Sequence, residues 1–150
     1  MRLTTVSAIS VVMLRQGNGM GVDRPRILVA EDNLVLADVL RFNLERGGFD
    51  VHVANSGTLA AEALRKGQFD AILTDYQMPG INGEDLCRLA RSDSRHADVP
   101  VFLISAKCFE LDVVLLMQEL SLTKVFSKPF SPRDIVKAVR DAVIPAMAAD

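Results

Sequence analysis

The feature that most constrains the fold is a regular alternation of short apolar runs with segments of helical periodicity. Three apolar runs lie at residues 27–30, 71–73 and 101–104. Such runs are typical of strands that are buried on both faces of a parallel sheet. Shorter runs at 51–53 and 125–126 indicate two further strands. Because strands that alternate with helices form βαβ units, the sequence predicts an α/β fold with a five-stranded parallel sheet.

The intervening segments carry apolar residues at helical spacing. The predicted helices cover residues 33–46, 59–65, 83–91, 111–120 and 131–143. Gly47 and Gly48 end the first helix, and Pro132 stands in the first turn of the last helix, where its missing N–H is tolerated. Five strands and five helices in about 120 residues favour a doubly wound sheet with helices on both faces.

The length of 150 residues suits a single domain, which we predict to cover residues 25–145. Residues 1–24 are predicted to be a disordered extension, and residues 146–150 a short tail. The apolar stretch at 6–14 is too short for a membrane span, which needs about 20 apolar residues. Because two methionines precede the first strand, a start codon assigned too early is an alternative.

The charge and the cysteines exclude several classes of protein. A net charge of −2 and the lack of a Lys/Arg cluster argue against nucleic-acid binding. Cys87 and Cys108 form no CxxC pair and have no nearby His at ligand spacing, which argues against a zinc site. We therefore expect reduced cysteines in a cytoplasmic protein that binds neither nucleic acid nor membrane.

Polar residues follow four of the five predicted strands. They are Glu31 and Asp32, then Asp75, Ser105 and Lys128. In open α/β sheets, ligands bind outside the carboxyl ends of the strands, so these side chains are expected to meet there. Clustered carboxylates repel one another unless a cation neutralises them, and oxygen ligands without Cys or His favour Mg²⁺, with Mn²⁺ as the substitute. An Asp carboxylate at such a site can attack phosphorus and form an acyl phosphate.

Each of these residues has a simpler explanation when it is taken alone. An acidic pair after a strand can serve the N-terminus of a helix, and an Asp before Pro-Gly can form a turn. A Lys before a loop is often only solvated. The inference therefore depends on the whole set, with every member at a strand end.

Four motifs contain these residues and extend the pattern. They are ILVAEDN at 27–33, DAILTDYQMPG at 70–80, FLISA at 102–106 and SKPF at 127–130. With them, residues from about 25 to 144 resemble the response-regulator receiver family. The resemblance implies a flavodoxin-like sheet of strand order 2-1-3-4-5. It also implies a phosphoacceptor of two-component signal transduction, which catalyses only its own phosphorylation and dephosphorylation.

The resemblance implies a metal-binding role for several residues. Asp32 resembles the direct metal ligand of the family, and Glu31 resembles its partner, which often acts through water. Asp75 resembles the phosphoacceptor, which also contacts the metal ion. The backbone carbonyl of Gln77 stands where the family has its third protein ligand.

The resemblance also implies how the phosphoryl group is held. Ser105 resembles the hydroxyl that closes on the phosphoryl group, and Lys128 resembles the lysine that pairs with it. The family usually has an aromatic switch residue three positions before this lysine, where the chain has Val125. The switch is then absent or altered, unless a one-residue shift of the last strand places Phe126 there.

The function implied is acceptance of a phosphoryl group from a histidine kinase or phosphotransfer protein, followed by contact with a downstream protein target. Two alternatives within this family are a receiver module excised from a hybrid histidine kinase and a phosphorylation-independent interaction module. A phosphatase of the haloacid-dehalogenase type is disfavoured, because it normally has a second Asp where this chain has Gln77.

The fourth helix is unusually apolar, with the run VVLLM at 113–117. One interpretation is a well-buried helix, which we favour. The other is an exposed apolar patch that marks a partner surface or a homodimer through the face of the fourth and fifth helices.

Overall fold

A computed structural model describes residues 24–107 and 112–144, which form one parallel sheet between two helical layers. The strands are β1 (Arg26–Ala30), β2 (Asp50–Ala54), β3 (Ala71–Asp75), β4 (Val101–Ser105) and β5 (Lys124–Ser127). The helices are α1 (Leu34–Arg46), α2 (Gly57–Lys66), α3 (Gly83–Ser92), α4 (Val113–Leu120) and α5 (Pro132–Val143). The predicted α/β class and the strand order β2-β1-β3-β4-β5 are confirmed.

The register of the sheet brings the ends of its strands to one edge. Ile27 of β1 pairs with Val51 on one side and with Ala71 on the other. Asp75 at the end of β3 pairs with Ile104, the residue before the end of β4. Because all five strands run in parallel, the residues that follow them lie on the same side of the molecule.

Alternate residues of each strand enter two separate cores. In β1, Ile27 and Val29 pack with α1 and α5, whereas Leu28 and Ala30 face the opposite core. That second core lies under α2, α3 and α4. The strands read as continuous apolar runs because both faces of the sheet are covered.

Each helix begins at a polar residue that caps it. The side chain of each cap accepts a hydrogen bond from the backbone N–H three residues later, which satisfies one of the unpaired donors of the first turn. The caps are Asn33, Ser56, Asn82, Asp112 and Ser131. Each cap therefore marks the residue at which a loop ends and a helix begins.

The apolar helix α4 is buried on one side only. Leu116 and Leu120 are buried, as the favoured interpretation predicts. For Val114 and Leu115 that interpretation is wrong, since their side chains are 65% and 47% exposed. The predicted first residue, Leu111, lies outside the described residues.

Other predictions concern single residues and the termini. The thiol of Cys87 is buried, and burial raises its pKa to about 12, which is consistent with a reduced, unreactive cysteine. Cys108, residues 1–23 of the predicted extension and the tail at 146–150 lie outside the described residues. Within 24–107 and 112–144, no helix is long and apolar enough to cross a membrane.

The first residue of α2 packs directly against the loop before α3. A Cβ atom added to Gly57 would overlap the backbone carbonyl of Ile81. At Gly67, which follows the same helix, an added Cβ would meet nothing closer than 3.5 Å. The contact between α2 and this loop therefore requires glycine at the first position only.

We expect Gly57→Ala to lower the free energy of unfolding by about 2–3 kcal/mol, because the backbone must shift to relieve the overlap. Gly67→Ala is the matched control, and we expect it to change stability much less. Urea unfolding followed by circular dichroism measures both. Equal stability of the two variants would contradict the close contact at Gly57.

Candidate acidic site at the carboxyl edge of the sheet

Three carboxylates converge where β1 and β3 end. Glu31 and Asp32 follow β1, and Asp75 is the last residue of β3. One carboxylate oxygen from each residue lies within 4.8 Å of the other two. Glu31 and Asp75 are only 1% and 5% exposed, whereas Asp32 is exposed to solvent. The pairing of β1 with β3 thus produces the carboxylate cluster that the sequence predicts.

Lys128 brings one positive charge to the two buried carboxylates. Its Nζ lies 3.1 Å from Asp75 Oδ2 and 3.4 Å from Glu31 Oε1. Its backbone N–H donates to the carbonyl of Ser105, which fixes the turn after β5 against β4. Partial burial lowers the pKa of Lys128, but the hydrogen bond and charge of Asp75, assisted by Glu31, outweigh this effect and raise it. The ammonium therefore stays charged.

Glu31 is held in an unfavourable environment for a carboxylate. Burial raises its pKa above the ordinary 4.5, and the charge of Asp75 raises it further. The N–H of Asn33, which donates to Glu31 Oε2 at 3.1 Å, and the ammonium of Lys128 lower the pKa in part. Glu31 Oε1 is within ion-pair distance of Lys128 but has no hydrogen-bond partner among the described residues.

The donor set of this site fits a hard divalent cation. One ammonium cannot neutralise three carboxylates, and a buried carboxylate oxygen without a hydrogen bond is a position where a cation would be stabilised. The ligand atoms are all oxygens, which Mg²⁺ prefers over nitrogen or sulfur. The residues present therefore satisfy the chemistry of a magnesium site.

The hydroxyl of Ser105 belongs to the same edge of the sheet. Ser105 is the last residue of β4 and is buried, and its Oγ accepts the backbone N–H of Lys107 at 2.9 Å. Its strand lies next to β3, whose last residue is Asp75. The structure thus places Ser105 on the strand adjacent to the candidate phosphoacceptor, as the sequence predicts.

The loop after Asp75 forms an open groove beside the acidic cluster. Asp32, Tyr76 and Gln77 line this groove, which places Gln77 on the side of the site that faces solvent. The N–H of Gly83 donates to the Tyr76 carbonyl at 2.7 Å and closes the loop. A Cβ added to Gly83 would overlap the backbone carbonyl of Asp75, so α3 begins in direct contact with the site.

Three polar residues that contact this site were given no role in the sequence analysis. Asn33 donates its N–H to Glu31, Asn55 Nδ2 lies 3.4 Å from the Glu31 carbonyl, and the Thr74 hydroxyl donates to the Asp75 carbonyl at 2.9 Å. Asn33 could have been found, because it directly follows the acidic pair and caps a helix. Asn55 comes from the end of β2, and no local pattern connects it with Glu31.

The alternative of a one-residue shift in the last strand is wrong. Val125 pairs with Leu103 in the ladder, and Phe126 pairs with Ile104. Phe126 is buried in the core under α1 and α5, where its ring stacks on Phe102 at 6.2 Å between centroids. Val125 packs on the opposite face, toward α4. The position three residues before Lys128 is therefore occupied by valine.

Residues 27–140 match the sequence profile of the family described as "Response regulator receiver domain". The chain belongs to this family. Receiver domains of this family serve two-component signalling, and the fold described above is that of the family.

Curated relatives of this chain include DNA-binding response regulators. The DNA-binding response regulator MtrA of Mycobacterium tuberculosis is 40% identical over 121 residues, which cover 81% of this chain and 51% of that protein. MtrA of Mycobacterium leprae is 41% identical over 117 residues, which cover 78% of this chain and 50% of that protein. The chain spans about half the length of these relatives.

Solved structures show the same receiver fold. A sensor protein from Polaromonas sp. JS666 aligns with a TM-score of 0.73 at 31% identity, covering 80% of this chain and 96% of that one. The chemotaxis response regulator CheY4 of Vibrio cholerae aligns with a TM-score of 0.72 at 22% identity, covering 79% of this chain and 98% of that one. The receiver domain of sensor histidine kinase PA1611 from Pseudomonas aeruginosa aligns with a TM-score of 0.71 at 22% identity. The alignment covers 80% of this chain and 98% of that one, whose active-site cleft has a coordinated magnesium ion.

We expect Glu31→Gln to stabilise the metal-free receiver domain near neutral pH, because no charge is then buried beside Asp75. Since the pKa of Glu31 is raised by folding, the wild type loses stability relative to the variant as the pH rises above about 4.5. Below that pH, Glu31 is protonated in both states and the difference between the proteins becomes small. Urea unfolding in EDTA across this pH range measures the effect.

The control is Glu62→Gln, which removes a half-exposed carboxylate of α2 that pairs with Lys66. We expect no gain in stability from this substitution. A Glu31→Gln variant that is less stable than the wild type near neutral pH would contradict the cost of burying Glu31.

Proposed function

We propose that Asp75 is the phosphoacceptor of this receiver domain and that it takes a phosphoryl group in the presence of a bound Mg²⁺ ion. The observation that carries the proposal is the convergence of Asp75 with Glu31, Asp32 and Lys128 at one edge of the sheet. The donor is a histidine kinase or a phosphotransfer protein. The signal then passes to a downstream protein through contacts of the altered surface.

The metal ion, Mg²⁺ or Mn²⁺, is assigned to the acidic cluster. Asp32 and Asp75 would bind it directly, Glu31 through water, and Gln77 through its backbone carbonyl. The ion would neutralise charge on the phosphoryl oxygens during transfer. The solved receiver domain of PA1611 has magnesium in its active-site cleft, which supports the assignment by analogy.

The proposed transfer step uses Asp75, Lys128 and Ser105. A carboxylate oxygen of Asp75 attacks the phosphorus of the donor, the bond from phosphorus to the donor atom breaks, and an acyl phosphate forms on Asp75. The ammonium of Lys128, 3.1 Å from Asp75 in the unmodified protein, then pairs with a phosphoryl oxygen. Ser105, on the adjacent strand, donates its hydroxyl to another phosphoryl oxygen.

The readout of phosphorylation differs from the usual one in the family. Val125 packs toward α4 where the family usually has an aromatic switch residue, and Phe126 is committed to the opposite core. A valine cannot report the state of Ser105 by a large rotation of its side chain. We infer that phosphorylation alters the surface without a side-chain rotation at position 125.

The exposed side chains of Val114 and Leu115 are the proposed contact for the downstream target. A homodimer through the face of α4 and α5 would bury the same side chains and is the second use of this surface. Both uses require association through protein contacts. The predicted absence of nucleic-acid and membrane binding and the predicted cytoplasmic location stay predictions.

A receiver module of a hybrid histidine kinase is the second candidate. The 31% identity to a sensor protein from Polaromonas favours it, whereas the 40% identity to MtrA favours a response regulator. The two candidates share the phosphoacceptor chemistry at Asp75 and differ only in the domain that uses it. A phosphorylation-independent interaction module is the third candidate, and the Asp75 experiment below distinguishes it.

We expect the purified protein to gain one phosphoryl group from a small phosphodonor such as acetyl phosphate, in a reaction that needs both Mg²⁺ and Asp75. Intact mass spectrometry measures the gain in mass. Asp75→Asn should abolish it, because the amide is not a nucleophile toward phosphorus. The control Asp38→Asn removes an exposed carboxylate of α1 and should label as the wild type does.

Labelling of Asp75→Asn to the wild-type level would place the phosphoacceptor elsewhere. If the wild type binds Mg²⁺ but takes no label from small donors or kinases, the phosphorylation-independent module is supported instead. Continuous turnover of a phosphomonoester would show a phosphatase rather than a phosphoacceptor.

Metal binding can be measured separately through Tyr76, which is the single tyrosine of a chain without tryptophan. Tyr76 lines the same groove as Asp32, so we expect Mg²⁺ to change its fluorescence. Asp32→Asn should weaken Mg²⁺ binding by about tenfold or more, because a direct carboxylate ligand is lost. The Asp38→Asn control should keep the wild-type affinity.

A further inference from the structure

A basic groove lies between the last turn of α1 and one side of α5. Four exposed cations line it, and one carboxylate accompanies them. The cations are Arg46, Arg133, Lys137 and Arg140, and the carboxylate is Asp141. We call this surface the α1–α5 groove. It is a concentration of positive charge on a chain whose net charge is −2.

The cations of α5 form a regular row along the groove. Arg133, Lys137 and Arg140 are spaced as i, i+4 and i+7, which places them on one face of the helix. They span about 10 Å along the helix axis at 1.5 Å per residue. Arg46 of α1 lies across the groove, and its guanidinium stacks over the ring of Phe42 at 5.6 Å.

The floor of the groove is a close contact between the two helices. A Cβ added to Gly47 would lie 2.8 Å from a methyl carbon of Val136, so the absence of a side chain at Gly47 keeps α5 near α1. Arg140 Nη2 donates to the Gly47 carbonyl at 3.1 Å and fixes the far end of the groove. The charged row thus flanks a half-buried valine.

The charge of the groove is only weakly neutralised within the protein. Lys137 and Asp141 form an ion pair at 2.8 Å, but their side chains are 75% and 48% exposed. Exposed pairs one helical turn apart contribute little stability, so carboxylates from another protein can compete with Asp141.

The α1 side of the groove is remote from the phosphoacceptor. α1 begins at the carboxyl edge of the sheet, beside Asp32, and its last turn with Arg46 lies at the opposite edge. The α5 side of the groove begins at Arg133, in the first turn of the helix that follows β5 and Lys128 at the carboxyl edge. The groove therefore extends from the carboxyl edge of the sheet toward the opposite edge.

The chemistry of the groove favours an acidic protein segment over nucleic acid. The groove is short, and the sequence isoelectric point of about 5.7 gives the molecule as a whole a negative charge, which repels a polyphosphate backbone. A helix with carboxylates at i, i+4 and i+7 repeats the spacing of the cations on α5. Its apolar neighbours can rest on Val136.

We propose that the α1–α5 groove docks an acidic helical segment of a protein partner, with three carboxylates facing Arg133, Lys137 and Arg140. This contact is additional to the phosphoryl donor and to the α4 surface. It does not depend on the proposed phosphoacceptor role, since it uses neither Asp75 nor the metal site.

The test uses a fluorescein-labelled helical peptide with Glu at three positions spaced i, i+4 and i+7, and the same peptide with Gln at those positions. Fluorescence anisotropy at low salt measures binding to the wild-type chain. We expect the Glu peptide to bind and the Gln peptide to bind at least about tenfold more weakly, because the contact is between opposite charges. Raising the salt concentration should weaken the binding of the Glu peptide.

Two double variants locate the contact. Arg133→Glu with Lys137→Glu should lower the affinity for the Glu peptide by about tenfold or more. Arg65→Glu with Lys66→Glu makes the same change of net charge on exposed residues of α2 and should have a much smaller effect. Asp141→Asn should tighten binding by about twofold, because it removes the competing carboxylate.

The side chains changed in these variants are exposed, and urea unfolding checks that each variant folds as the wild type does. An equal loss in the two double variants would overturn the proposal, since the attraction would then be general. So would failure of the wild type to bind the Glu peptide. Tighter binding of a duplex DNA that is lost on Arg133→Glu with Lys137→Glu would assign the groove to nucleic acid instead.

Discussion

The arrangement of charge around Lys128 is the constraint on which the rest of the site depends. Asp75 and Glu31 are buried close to each other, and without the ammonium between them each would raise the free energy of the other in its charged form. Asp32 adds a third negative charge at the solvent side. The metal-free protein is thus left with an excess of negative charge, which is the condition for binding a divalent cation.

Close backbone packing keeps this unfavourable cluster in place. Gly83 lets the start of α3 touch the carbonyl of Asp75, and Gly57 lets α2 touch the loop that contains Ile81. Neither contact leaves room for a side chain. The backbone beside the site is therefore held by close contacts that require glycine at both positions.

The two helical layers present different chemistry to other proteins. On the α2–α3–α4 side, Val114 and Leu115 of α4 are exposed apolar residues. On the other side, the α1–α5 groove is lined by four cations. The two surfaces lie in different helical layers, but a homodimer through the face of α4 and α5 would also involve α5, which lines the groove.

The sequence by itself determined the elements of the fold and the five polar residues that meet at one edge of the sheet. Apolar runs and polar caps are local signals, and the parallel strands necessarily bring Glu31, Asp32, Asp75, Ser105 and Lys128 to one edge. Only the tertiary structure decided which side of α4 is exposed, which core receives Phe126, and that Asn55 reaches Glu31. The α1–α5 groove, too, was not visible as a charge cluster, since Arg46 and the cations of α5 are far apart in the chain. These features depend on how distant elements pack together, and no periodicity within one element encodes them.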